Sequence, residues 1–400
     1  MKRYSPAPLV GCPVGVFSFL WPGRIQPANS AAERWLEGPS APPGLPSLRM
    51  SPAVSILAYA SLAVVSTAIV WKGSQMLESS SERLSAYYQL PPLVQGSVVL
   101  AVGSSFPELA TAIISTSVHG QFELGVAAVV GSALFNILMI PALSELCAEA
   151  RLVSTRDLIY KETQFYLISI VVLLLVFSLA VIYNPVGDAD AMREGTVTRG
   201  MALLPLALYA VYVYIQYQDT VDYEPAGPVD SINQVRQGAL LLSSLLVILL
   251  GVEGLVRSAI AFGDLFGTPS FLWGITVVAA GTSLPDAFVS IRASRSGNAT
   301  TSVANVLGSN IFDLLVCIPA SALIAGSVAI NYSVGAPMMG VLAVATLVVL
   351  LFLRSHMVLT SREAWGLIVL YVAFVLWMGV ETFGTVDLVP NLPPATVAAP

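Results

Sequence analysis

The sequence predicts an all-α membrane protein of ten transmembrane helices in two inverted five-helix repeats. Three observations predict it. Hydrophobic residues make up 56% of the 400-residue chain and charged residues 10%, with a mean hydropathy of +0.79; a soluble domain carries about 25% charged residues. Ten apolar stretches each come near the ~20 residues that a hydrocarbon core requires. Finally, one phrase occurs twice and each time sets a carboxylate within an apolar stretch: Gly103-Ser104-Ser105-Phe106-Pro107-Glu108 and Gly281-Thr282-Ser283-Leu284-Pro285-Asp286.

The first five spans are expected near 52–71, 91–118, 122–146, 164–183 and 200–217. The second five are expected near 238–258, 270–294, 299–325, 333–353 and 364–383. Between them, residues 218–236 are polar and acidic (Asp219, Asp222, Glu224, Asp230) and carry Pro225 and Pro228, which reads as a linker between repeats at 51–217 and 237–384. Residues 1–50 are rich in Pro and Gly and read as an extension, disordered or not native, rather than a signal peptide; 385–400 read as a tail. With residue 51 outside, the inside loops hold ten Lys or Arg and the outside loops three, Arg193, Arg199 and Arg257. That bias sets the orientation. Five helices per half is odd, so the second half enters from the opposite side, an architecture that places substrate at the midplane between halves.

The repeated phrases hold the chemistry. A charged side chain at the bilayer centre costs about 2.5–3.5 kcal/mol, and its default role there is ion handling. Partner phrases follow: Gly131-Ser132-Ala133-Leu134-Phe135-Asn136 and Gly308-Ser309-Asn310-Ile311-Phe312-Asp313. Proline within a helix frees the carbonyl four residues earlier, here Gly103 and Gly281, and broken helices at membrane depth are tolerated where the freed backbone lines a cavity. Ser105 and Glu108 share a helix face, as do Ser283 and Asp286, Ser132 and Asn136, and Ser309 and Asp313. Four such faces make an all-oxygen cage suited to a hard cation. No Cys or His lies among them, which argues against softer metals. Cys12, Cys147 and Cys317 are scattered, and His119 and His356 fall in expected loops as solvated residues. Glu108, Asp286 and Asp313 carry three negative charges against the two of a Ca²⁺, so an empty cage crowds like charges and favours cations or a proton. Glu253 and Arg257, four apart, read as a surface pair.

At these phrases the chain resembles the cation/calcium exchanger superfamily, over roughly 52–383 and most closely over the α-repeats 91–143 and 269–319. The resemblance implies a ten-helix bundle that exchanges Na⁺ for Ca²⁺ by alternating access, with the first and sixth helices sliding across the rest. It implies Ca²⁺ ligation by Glu108 and Asp286, a cage completed by Asn136 and Asp313, and Na⁺ ligands from Ser105, Ser132, Ser283, Ser309 and the carbonyls of Ala101 and Ala279. Ser104 and Thr282, inside the same phrases, join the candidate set. The wording of the phrases is most similar to the potassium-dependent members, where the aspartate matching Asp313 is tied to K⁺. The short linker leaves no room for a Ca²⁺-sensing domain, as in a prokaryote-type exchanger of the cell membrane, functional as a monomer in the lipid bilayer, with no cofactor and no nucleic-acid partner. A Ca²⁺/H⁺ antiporter is the close alternative. A cation channel is the alternative of another class, although channels build rings from several subunits. No HExxH, GxSxG or P-loop phrase points to an enzyme.

Overall fold

Apolar helices dominate the computed structural model, which describes residues 51–90, 99, 101–147, 158–186, 194–218, 232–295 and 299–382, all within one compact unit. The first half comprises α1 (Pro52–Tyr87), α2 (Ala101–Ser104), α3 (Phe106–Ser117), α4 (Phe122–Cys147), α5 (Thr163–Tyr183) and α6 (Arg199–Gln218). The second comprises α7 (Gln234–Phe266), α8 (Ser270–Trp273), α9 (Ala279–Arg295), α10 (Ala299–Phe312), α11 (Ile318–Ala325), α12 (Tyr332–His356) and α13 (Ser361–Thr382). Among the described residues nine helices are long and apolar enough to cross a membrane. The tenth expected span is described over α2 and α3, while residues 91–98 and 100 lie outside the described residues. So do the expected extension at 1–50, linker residues 219–231, and the tail.

Burial separates the motif segments from their jacket. The apolar window of α4 is 89% buried and that of 305–325 is 78% buried, against 17% for α1 and 22% each for α6 and α13. The outer helices turn Leu57, Val64, Leu203, Leu250 and Leu376 outward. In water such a surface would associate; in a bilayer it is the lipid face.

The motif helices are irregular, and differently so in the two halves. Pro107 has no amide to donate, and the helix stops at Ser104, turns at Ser105 and restarts at Phe106. Ser105 N–H still bonds Ala101 O at 3.0 Å and Leu109 N–H bonds Ser105 O at 3.0 Å, so the two pieces remain in line. The equivalent Pro285 was expected to break its helix too, yet it sits inside the unbroken α9. There the irregularity lies upstream, in a π-helical turn over Gly274–Val278, and a second π turn covers Asp313–Cys317. Such turns insert a residue and rotate the faces that follow, and they recur at functional sites. The span expected over 52–71 also runs on to Tyr87, as a helix with Ser74, Ser80, Ser81 and Ser85 buried.

Two close approaches hold the motif segments together. A Cβ on Gly131 would lie 2.5 Å from Ile275 O and 2.8 Å from the Ala279 Cβ. A Cβ on Gly274 would lie 2.7 Å from Leu124 O. Only glycine lets α4 meet the π turn and α9 backbone to backbone. In the jacket α1 packs along α7, where a Cβ on Gly251 would lie 2.7 Å from Val70.

One feature lies outside the all-helical expectation. β1 (Glu194–Thr198), just before α6, pairs antiparallel with β2 (Ser327–Asn331), just before α12, with Thr196 opposite Ala329. The ribbon joins the two halves at one end of the bundle. His119, read as a solvated loop residue, instead places Nε2 3.0 Å from Glu253 Oε2, while Arg257 holds Glu253 Oε1 at 2.6 Å as expected. The loop after α3 is thereby pinned to α7.

Gly131→Ala should destabilise the purified protein by about 1–3 kcal/mol, the usual cost of overpacking. Gly103→Ala, whose Cβ would meet nothing nearer than Ser81 Oγ at 3.8 Å, should be close to neutral. Thermal unfolding in detergent checks the contrast.

Candidate ion-binding site

All twelve candidate residues are buried, from fully enclosed Ser105, Ser132, Asn136, Ser283 and Asp313 to Ser104 at 9% exposure. The helix break aims the start of α3 at α4: Ser132 Oγ donates to Glu108 Oε1 at 2.9 Å. Ser132 also lies 2.7 Å, Oγ to Oγ, from Ser283 on α9. Thr282 is within reach of the Glu108 carboxylate. These contacts bring Glu108, Ser132, Thr282 and Ser283 into one group drawn from both repeats. A second bridge runs from Ser105 Oγ to Ser309 O at 3.4 Å. Asp286 and Asp313 both stand within electrostatic range of Glu108, and Cys317 Sγ donates to Asp313 Oδ1 at 3.7 Å.

Other candidates use their hydroxyl protons within their own helices. Ser104 Oγ donates to Ala101 O at 3.3 Å, Thr282 Oγ1 to Val278 O and Ala279 O at 3.2 Å each, and Ser309 Oγ to Val306 O at 3.1 Å. A hydroxyl that gives its proton to a carbonyl keeps its lone pairs for a cation. The carbonyls of Ala101 and Ala279, expected to face the cage, are thus also hydroxyl acceptors.

Four buried oxygens in this group have no hydrogen-bond partner among the described residues: Glu108 Oε2, Asn136 Oδ1, Asp286 Oδ2 and Asp313 Oδ2. Each motif segment contributes one. Among the described residues no Lys or Arg forms an ion pair with the three carboxylates. Nor do any three His, Cys, Asp or Glu side chains stand close enough to hold one metal ion by themselves. The cage is therefore wider than a closed carboxylate triad, and an ion in it needs neutral oxygens as well. Two residues outside the candidate set complete the wall. Asn310 bonds Asn136 and Ala133, and Tyr166 bonds Asn310. Asn310 was legible as part of its phrase; Tyr166, in an unremarkable apolar span, carried no signal.

A family model described as sodium/calcium exchanger protein matches residues 58–218 and 237–380. The chain belongs to the sodium/calcium exchanger protein family. This exchanger is 25% identical over 281 residues to inner membrane protein YrbG of Escherichia coli, covering 67% of this chain and 80% of that one. It is 24% identical over 341 residues to sodium/calcium exchanger MaX1 of Methanosarcina acetivorans, covering 76% of this chain and 94% of the relative. Among solved structures, sodium-calcium exchanger NCX_Mj aligns over 80% of this chain and 99% of its own at 20% identity, with a TM-score of 0.54. The H⁺/Ca²⁺ exchanger CAX aligns over 83% and 90% at 18% identity, with a TM-score of 0.62. These likenesses show a shared fold. The exchanger is a multi-pass integral membrane protein built from two inverted repeats.

Ser132→Ala would leave Glu108 Oε1 without its donor and cut the link to Ser283. A loss of about 1–3 kcal/mol is expected for an orphaned buried acceptor. Thermal unfolding checks it, against Ser61→Ala on α1, which is exposed and donates to Leu57 O within its own helix, as the near-neutral control.

Proposed function

We propose that this exchanger is a Na⁺/Ca²⁺ antiporter that carries the two ions in turn through one midplane site by alternating access. The observation that carries the reading is the set of four unpartnered buried oxygens, one from each motif segment. An ionised carboxylate and an amide carbonyl can only accept; what satisfies them must bring positive charge or a proton. All-oxygen surroundings suit a hard cation, and Ca²⁺ takes six to eight such ligands, waters included. Glu108 and Asp286 act as the Ca²⁺ ligands, with Asn136 and Asp313 completing the cage. Ser105, Ser132, Ser283 and Ser309, with Ser104, Thr282 and the carbonyls of Ala101 and Ala279, supply neutral oxygens for Na⁺.

Those hydroxyls are the reason to prefer Na⁺ over H⁺ as the counter-ion, because a carboxylate takes up a proton without help from neutral oxygens. The Ca²⁺/H⁺ reading draws on the likeness to CAX and on three carboxylates that can each hold a proton. The cage is assembled within one chain, which favours a monomeric carrier over a channel. Asp313 is the residue through which K⁺ cotransport would act. A prokaryotic cell membrane fits the matched relative named as an inner membrane protein.

Proteoliposomes loaded with Na⁺ and diluted into Na⁺-free buffer at equal pH should take up Ca²⁺. Glu108→Gln and Asp286→Asn should each reduce uptake to background while the protein remains folded, because each removes a charge with little change in volume. Wild-type flux in either variant would sink the site. Uptake that ignores Na⁺ and follows an imposed pH gradient would replace Na⁺ by H⁺, and a requirement for external K⁺ would add the third ion.

A further inference from the structure

The two repeats are not equivalent at the cage. Where the second repeat has Asp313 the first has Asn136, and where the second has Asn310 the first has Ala133. The two departures touch. Asn310 Nδ2 donates to Ala133 O at 3.0 Å and to Tyr166 Oη at 3.1 Å, and Asn136 Nδ2 donates to Asn310 Oδ1 at 3.2 Å. All three side chains are fully enclosed.

Proton accounting fixes the direction of every bond. A backbone carbonyl can only accept, so Ala133 O holds the amino end of the Asn310 amide. The other Asn310 amino proton goes to the Tyr166 hydroxyl oxygen, which has lone pairs to accept it. With both amino protons of Asn310 committed, its Oδ1 faces Asn136 and takes a proton from that amide. The Asn136 carbonyl oxygen is what remains, and it is the unpartnered atom.

We infer that Asn310 is a positioning residue, which turns the carbonyl oxygen of Asn136, rather than its amino group, toward the ion cage. The inference rests on the cage being the Ca²⁺ site. A carboxylate presents an oxygen whichever way it is turned, so Asp313 needs no such clamp. An amide has one useful end and one repulsive end. The clamp stands beside the one cage position where an amide takes the place of a carboxylate.

Equilibrium Ca²⁺ binding to the purified full-length protein in Na⁺-free buffer tests this. Asn310→Ala should weaken binding about tenfold, in line with the loss of a charge-assisted contact. In an Asn136→Asp background the same substitution should cost nothing, because the side chain at 136 no longer has a wrong end. Tyr166→Phe, which keeps the ring, should weaken binding about threefold and lose that effect in the same background. It carries the test where Asn310→Ala does not fold. Equal losses in the two backgrounds would make Asn310 a packing residue and overturn the inference, as would wild-type affinity in the variants. Asn136→Asp should itself bind Ca²⁺; failure to do so would remove residue 136 as an oxygen donor. A wild-type protein that binds no Ca²⁺ would instead remove the proposed function, and this inference with it.

Discussion

Three carboxylates buried among apolar helices, with no ion-paired Lys or Arg among the described residues, set the terms for the rest of this molecule. Desolvating each costs several kcal/mol, and no ion pair among the described residues repays it for Glu108, Asp286 or Asp313. The surroundings compensate only in part. Ser132 donates to one oxygen of Glu108, and Cys317 to one of Asp313. Helix irregularities and glycine contacts follow from the same demand, since they bring oxygens from four segments to one place. The partial satisfaction is what makes the centre receptive: a fully hydrogen-bonded carboxylate would have little reason to exchange its partners for an ion.

Much of this was legible in the sequence because polar residues in membrane helices are costly and therefore stand out. The paired phrases picked out the buried carboxylates that the structure gathers, and hydropathy picked out the nine spans among the described residues. Sequence reasoning failed where geometry depends on what a residue meets in space. Pro107 and Pro285 occupy matching positions, yet only the first interrupts its helix; the second lies inside an unbroken helix that follows the π turn over Gly274–Val278. Nothing local distinguishes the two prolines. Tyr166 gave no signal because its hydroxyl finds its partner 144 residues away, at Asn310. His119 looked like a solvated loop residue because its partner, Glu253, is 134 residues distant.

Inverted symmetry accounts for the plan of the site and its violations account for the detail. An exact two-fold would give identical ligands from both halves. Instead one amide stands opposite one carboxylate, with a side-chain clamp on the amide's side only. Asymmetry of this kind gives a centre with distinguishable corners, which a site handling ions of different charge can use. The same unevenness appears in the backbone, where the helix is interrupted ahead of Pro107 but runs unbroken through Pro285.

The β1–β2 ribbon bears on how such a bundle can move. Its strands run directly into α6 and α12, one from each repeat, so those two helices are riveted together by a ladder of backbone hydrogen bonds. A book-like splitting of the halves at that end would have to peel the ladder apart. Outside that ribbon, α1 and α7 lie against one another along a glycine-bearing seam. The ribbon ties α6 and α12 into one unit, while the long contact between α1 and α7 is made apart from it.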